Sequence, residues 1–463
     1  MTDVIDKKER QKKAMTEGPF KKKILLFALP IMLSGLLQLF YNSADLVIVG
    51  RLSADYEKAQ AAVSSTSSLI HLIINLVMGF SVGINVSCAR RLGAKNEEGV
   101  FKVVHTAVML AIVSGVVVGI IGFFMSGIFL ELMKSPVDVI DLSTVYLKIY
   151  FIGTPFLLIY EFCASILRAK GETKKPLIYL AISGAINVVL NVIMVAVFKL
   201  SVRGVAIATV ISEAISAFLV VRYLIKTNDA CKLYLSKIKI HFREFFEIVK
   251  IGIPAGVQGS MFSISNVIIQ SSINSFGSTV MAGNGNAASI ESYLNVVVNG
   301  VVNGAISFIG QNYGAKKKEN IEKIMGDCFM LMTVFCLSTS AVVVLLRNQL
   351  LAIFNTDINV IEAGVPRVLI NCSCYILFGY MQLLVGFMRG LGKGVLPMII
   401  SICGICVFRI LWVFFVLPYN KTIYFLFFSY PLSWLLTSVA QGICCLIVKK
   451  KTYKKMLEEN YTN

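Results

Sequence analysis

The sequence predicts an all-α membrane protein of twelve transmembrane helices, arranged as two pseudo-twofold-related six-helix bundles, and three observations carry that prediction. Apolar runs long enough to cross a bilayer recur along the whole chain, basic residues gather on alternate loops, and the second half repeats motifs of the first.

The 463 residues are 56% hydrophobic and only 15% charged, a balance that soluble domains of ordinary composition do not reach. A run of about 20 apolar residues at 1.5 Å each covers the roughly 30 Å of a bilayer's hydrocarbon. Barrel strands are shorter, about ten residues, and alternate in polarity, so helices fit and strands do not. The predicted spans are 24–48, 61–86, 103–125, 145–166, 177–198, 204–225, 248–274, 286–309, 325–346, 368–388, 396–417 and 422–447.

A formal charge of +18 raises the question of nucleic acid. Its placement answers with topology. With the N-terminus inside, the inner segments and their flanks hold 34 of the 44 Lys and Arg. The outer loops hold 9, and Arg409 lies within the eleventh span. This is the positive-inside asymmetry, and it predicts both termini in the cytoplasm of a cell with a bacterial-type plasma (inner) membrane. No basic stripe is left over for nucleic acid. The first 23 residues are polar and basic, without the apolar core and small-residue site of a removable signal, so the first span is expected to act as its own insertion signal.

At an offset of 221 residues, RLGAKNEE at 91–98 lies over NYGAKKKE at 312–319, and Gly79 and Gly83 lie over Gly300 and Gly304. Arg168, Gly171 and Pro176 then fall on Arg389, Gly392 and Pro397. With three residues fewer in the first loop of the second half, Pro30 and Asn42 also fall on Pro254 and Asn266. Such coincidence marks a duplication. An even number of helices per repeat gives both halves one orientation, so the pseudo-twofold axis runs along the membrane normal, as in transporters with parallel repeats. The expected organisation is an N-terminal tail (1–23), a first lobe (24–225), a linker (226–247), a second lobe (248–447) and a C-terminal tail (448–463). The lysine-rich linker reads as a loop held at anionic lipid.

The residues resemble those of the multidrug and toxic compound extrusion (MATE) family. The likeness lies in ALPIMLSGLLQLFYNSADLVIVGRL of the first helix, RLGAKN after the second, ILRAKGETKKP after the fourth, GIPAGVQ opening the seventh, NYGAKK after the eighth and FMRGLGKGVLP after the tenth. The resemblance implies a V-shaped pair of six-helix lobes and efflux driven by inward flow of H⁺ or Na⁺. The wider group also contains flippases for lipid-linked sugars, which stands as the alternative function.

Asp45 is the first candidate for coupling, because a carboxylate inside a membrane helix costs about 2.5–3.5 kcal/mol unless protonated, paired or wet. Gln38, Tyr41, Asn42 and Asp45 share one helical face. Their oxygens suit either H⁺ or Na⁺. Asp45 also matches the acidic position of the family's first helix, whereas Asn191, four residues after Asn187 in the fifth, stands where many relatives have Asp. That departure leaves one carboxylate in the expected cluster. Acids that other relatives carry on the seventh and tenth helices are missing, the seventh offering Gln258 instead, so coupling is placed in the N-terminal half.

The substrate cleft is assigned to Glu161, Glu213, Glu291, Asn295, Asn299, Gln258 and Gln382. For Glu161, cleft lining and pairing with Arg168 stand as equal readings, and Gln382 is its repeat counterpart. Glu291 begins a stripe of Asn295, Asn299 and Asn303 at steps of four. Pro30 and Pro254 are hinge candidates in helices that tolerate a kink. The aligned G-x-x-x-G pairs read as close packing, and Arg409 as a structural partner for one of the acids.

An enzyme is not expected, since His71, His105 and His241 lack ligand-spaced partners. No resident metal or other cofactor is expected beyond a coupling H⁺ or Na⁺, the latter at Asp45; Cys403 and Cys406 sit mid-helix and read as soft apolar residues. The partners are cationic or amphipathic small molecules and the bilayer, with the chain acting as a monomer.

Overall fold

The computed structural model describes residues 15–53, 56–133, 135 and 137–461. Among them no strand occurs, and long helices follow one another in the predicted order. They run Phe20–Leu52, Tyr56–Gly93, Glu97–Leu132, Val137–Lys170, Lys174–Val192, Ser201–Lys226, Phe242–Asn274, Ser278–Gly314 and Lys318–Leu345. The tenth is composite, Ile358–Cys372 and Tyr375–Gly390 meeting at a 48° bend. The eleventh covers Val395–Tyr419 and the twelfth Ile423–Tyr461.

Ten of these helices are apolar and long enough to cross a bilayer singly, and the bent pair supplies an eleventh crossing. The seventh is equally long at 33 residues. It opens on Arg243, Glu244, Glu247 and Lys250 and continues through Gln258, Asn266 and Gln270, which explains its weaker apolar signal. Most helices extend past the predicted spans by several residues, because a helix does not stop where hydrocarbon does.

Local chemistry sets the ends. The second helix closes at Lys95, whose backbone is left-handed at φ 55°, and the next begins where the Asn96 side chain accepts from the Gly99 amide at 2.8 Å. Lys316, at the repeat position, has φ 56°. Gly171 and Gly392, also 221 apart, have φ 94° and 75°. The duplication is therefore repeated in backbone geometry, with Gly where the conformation is steric in origin.

The described chain packs as two compact units, Met1–Met32 with Val257–Asn463, and Leu33–Gly256. This division differs from lobe borders drawn through the linker: both boundaries lie inside helices, two residues past Pro30 and Pro254. Glycine contacts give the physical reason. A Cβ on Gly79 would stand 2.3 Å from the Gly252 carbonyl oxygen, and one on Gly83 2.3 Å from that of Ile248. In the other unit, a Cβ on Gly300 would meet Met32 Cγ at 2.5 Å. The first stretch of the seventh helix is thus fixed against the second, and that of the first against the eighth, through the aligned small residues.

The linker is not a bare loop. Cys231 and Leu233 are buried, the Tyr234 amide donates to His105 Nε2 at 3.1 Å, and the His241 amide donates to Thr106 Oγ1 at 3.0 Å. Lys170 pairs with Asp229 at 2.5 Å and Glu172 at 3.2 Å. Partial burial alone raises the Asp229 carboxyl, but the Lys170 ammonium and the Cys231 amide outweigh it and hold the group below its usual range.

Two outcomes follow from this packing. Gly79→Ala should destabilise the protein by at least about 1–3 kcal/mol, since backbone must move, while Gly127→Ala, which meets nothing within 4 Å, should not; thermal unfolding in detergent compares them. Because the folded pKa of Asp229 is depressed, its contribution is full above the unfolded carboxylate range and fades as pH falls through the folded value. The melting deficit of Asp229→Asn should therefore be present at pH 7, within the range of about 0–1 kcal/mol for an exposed pair, and shrink on acidification toward pH 3.

Candidate functional site

Each compact unit gathers polar side chains of its own. In the unit Leu33–Gly256, Asp45 is half-buried on the first helix, and its carboxylate accepts from Asn191 Nδ2 at 2.5 Å. Asn191, fully buried, also donates to Asn187 Oδ1 at 3.0 Å. Its own carbonyl oxygen is buried without a hydrogen-bond donor. Tyr41 lies flat over Gly184, where a Cβ would reach its ring at 1.9 Å, and donates to the Ala181 carbonyl at 3.3 Å. The glycine is what lets the first and fifth helices approach closely enough for Asp45 and Asn191 to meet.

Three of the six predicted coupling residues, Asp45, Asn187 and Asn191, thus meet, and Tyr41 packs on the fifth helix beside them. Gln38 and Asn42 stand exposed on the first helix. Immediately after Asn191 the fifth helix widens into a π-helical turn, Ile193–Val197, a rare geometry found often at working sites.

Glu213, assigned to the cleft from the sequence, packs against the fourth helix. Its Oε2 is 2.8 Å from where a Cβ on Gly153 would sit. Tyr146 lies in the fields of both Asp45 and Glu213, and Tyr150 in that of Glu213. The unit that holds Asp45 therefore carries a second membrane-depth carboxylate, on the sixth helix and facing the fourth. The available signal was the spacing 146, 150, 153 on the fourth helix, which puts two phenols and a gap on one face.

Other predicted cleft residues have defined partners. Glu161 pairs with Arg168 at 3.3 Å, and Arg168 also donates to Ser165 Oγ at 2.7 Å. Gln258 accepts from Arg389 Nη2 at 3.0 Å, while the Gln382 carbonyl oxygen is buried without a donor. Asn299 donates to Asn295 Oδ1 at 2.5 Å and Asn303 to the Asn299 carbonyl at 2.9 Å, so the stripe is a ladder along the eighth helix.

Glu291, in the unit containing Val257–Asn463, is bonded on both carboxylate oxygens. Arg367 reaches its Oε2 at 2.6 Å and Asn371 its Oε1 at 2.6 Å, while Arg367 Nη1 donates to Asn284 Oδ1 at 2.6 Å. Sequence reasoning counted Arg367 among the outer-loop charges and missed this role; the opening of the tenth helix carries it inward. Arg409, anticipated as the partner of an acid, has no carboxylate within ion-pair distance among the described residues. A cavity of about 180 Å³ lies between them, with Asn295, Tyr375 and Trp434 in its wall.

The MatE family model matches residues 30–193 and again 254–415. The chain belongs to the MatE family. The two matched segments are the two repeats, each beginning at its helix proline. Probable multidrug resistance protein YoeA of Bacillus subtilis (strain 168) is 27% identical over 447 residues, 94% of this chain and 96% of that protein. Multidrug export protein MepA of Staphylococcus aureus (strain NCTC 8325 / PS 47) is 23% identical over 387 residues, 84% and 85% of the two chains. A solved outward-facing conformation of a multidrug resistance MATE family transporter of the MOP superfamily superposes with a TM-score of 0.86 at 20% identity, covering 95% of this chain and 98% of that one. The MatE fold and a multi-pass membrane protein are thereby given.

Arg367 is buried and Glu291 largely so, and removing one partner strands the other. Glu291→Gln should lower stability by about 3–5 kcal/mol, and Arg367→Met added to it should recover most of that loss; a double-mutant cycle in thermal unfolding reads both.

Proposed function

We propose that this MatE chain is a secondary active efflux transporter, not an enzyme, that exports cationic or amphipathic small molecules in exchange for H⁺ or Na⁺ by alternating access. The carrying observation is the state of Asp45: half-buried at membrane depth, it is met by an amide of Asn191 and by no Lys or Arg among the described residues. A carboxylate so placed is stable only when protonated, hydrated or bound to a cation.

The surrounding donors fit either ion. Asp45, the Asn187 and Asn191 carbonyl oxygens and nearby Tyr146 are hard oxygen groups of the kind that hold alkali cations, and the unbonded Asn191 Oδ1 gives such an ion one more ligand. A proton on Asp45 would instead cancel the charge outright. Glu213, in the same electrostatic cluster, biases whichever ion binds. In this scheme the site loads from outside and discharges inside, and each turnover moves one solute outward. The topology that fits is both termini in the cytoplasm, from the charge asymmetry of the loops, in the plasma membrane and as a monomer. Multidrug resistance and export are the activities named for YoeA and MepA, which supports the same direction of transport.

The deciding experiment is dye efflux from loaded proteoliposomes under separately imposed H⁺ and Na⁺ gradients. Gradient-driven export is expected for the wild type with at least one ion, and Asp45→Asn should reduce it by about two orders of magnitude, as loss of a charged group at the working centre does. Full export by the variant under either gradient would remove Asp45 from coupling. No dye export by the wild type, with lipid translocation in its place, would favour the flippase.

A further inference from the structure

Arg409 stands on the eleventh helix at membrane depth and is 4% exposed. A guanidinium there is costly unless it is answered locally, and its answers are incomplete. Nε donates to Ser433 Oγ at 3.0 Å, and the plane lies over Tyr430 with 3.9 Å to the ring centroid and 5.8 Å to that of Trp434. Nη2 is buried with no acceptor at all. Arginine carries five N–H donors in a fixed fork shaped for an oxyanion, and here one tine has nothing to hold.

The neighbouring acid does not supply the missing acceptor. Glu291 already takes Arg367 on one oxygen and Asn371 on the other. With Glu291, Arg367 and Arg409 all in its wall, the 180 Å³ cavity therefore carries one positive charge in excess. Its remaining wall is largely aromatic, with Phe262, Tyr375, Phe378 and Trp434. The volume matches several waters' worth of space, about 30 Å³ each, enough for an oxyacid group and part of a ring.

Backbone geometry singles out the same place. Arg409 sits in a four-residue α-helical stretch, Phe408–Leu411, between two π-helical segments, Ile402–Val407 and Trp412–Val416. Arg367 directly precedes a third, Val368–Cys372. Such segments shift side-chain direction at the expense of regular hydrogen bonding and recur at functional sites.

We propose that this cavity is an anion subsite in which Arg409 binds the carboxylate of an aromatic, amphipathic ligand whose ring lies against Trp434 and its aromatic neighbours. The preferred solutes of this chain would then include aromatic acids and zwitterions as well as cations. Calling the ligand a substrate rests on the transport reading; the binding itself does not.

The test uses the full chain in detergent with Trp412→Phe, which leaves Trp434 as the single tryptophan. Its fluorescence is titrated with 4-nitrobenzoate, with neutral 4-nitrobenzamide and with 4-nitrobenzylammonium, three probes sharing one ring. Saturable quenching is expected, with the acid at least about tenfold tighter than the amide, the scale of one charge-assisted hydrogen bond. Arg409→Met should erase that preference, and Arg409→Lys should retain part of it because charge remains while the fork is lost. Equal affinities for acid and amide, or an acid preference that survives Arg409→Met, would overturn the proposal. If Arg409→Met does not fold, the acid-to-amide ratio in the parent protein decides alone. Asp45→Asn should leave the ratio unchanged, so a parent protein that prefers the acid but exports nothing under either gradient counts against the transport reading alone, and export without acid preference counts against the subsite alone.

Discussion

A charge held at membrane depth has to be answered from within the fold, because hydrocarbon offers neither counterions nor hydrogen bonds. The charged residues of this protein differ in how completely that is done. Glu291 is answered by a guanidinium and an amide, and Glu161 by Arg168. Asp45 is answered by an amide alone, and Arg409 by a hydroxyl and two rings. The Glu291 contacts tie the eighth helix to the tenth, whereas the Glu161–Arg168 pair lies within the fourth. The incompletely bonded charges are where the proposals place something mobile, a cation in one unit and an anion in the other.

Bringing such groups together requires helices to approach at backbone distance, and glycine makes that possible. Tyr41 can lie over the fifth helix because position 184 has no side chain, and Glu213 can lean on the fourth because position 153 has none. The same device, duplicated at Gly79, Gly83, Gly300 and Gly304, fixes the opening stretches of the seventh and first helices. Repeated left-handed residues at Lys95 and Lys316 and at Gly171 and Gly392 show that duplication preserved the turns as well as the packing. The chemistry carried by the two repeats has nevertheless diverged: the N-terminal repeat keeps uncompensated acids, and the C-terminal repeat a surplus arginine.

Much of the architecture was legible because bilayer-spanning helices announce themselves locally. Hydrophobic length, basic loops and the 221-residue repeat need no knowledge of what touches what. The face shared by Tyr41 and Asp45, and that shared by Asn187 and Asn191, follow from helical spacing in the same way. The seventh helix forms over the predicted span in spite of its polar residues. The π-helical turns beside Asn191, Arg367 and Arg409 left no such trace, since a single wide turn barely alters apolar periodicity.

By itself, then, the sequence determined the number and order of the helices, the duplication, and a first-helix carboxylate in need of a partner. Tertiary structure alone decided which group each charge meets. Arg367 and Glu291 are 76 residues apart and Asn191 and Asp45 146 apart, so no spacing rule links them. Glu213 came to face the fourth helix and Arg409 was left without an acid for the same reason: ion pairs and hydrogen bonds act over about 3–4 Å, and distances of that size between helices are set by packing, which no single helix encodes.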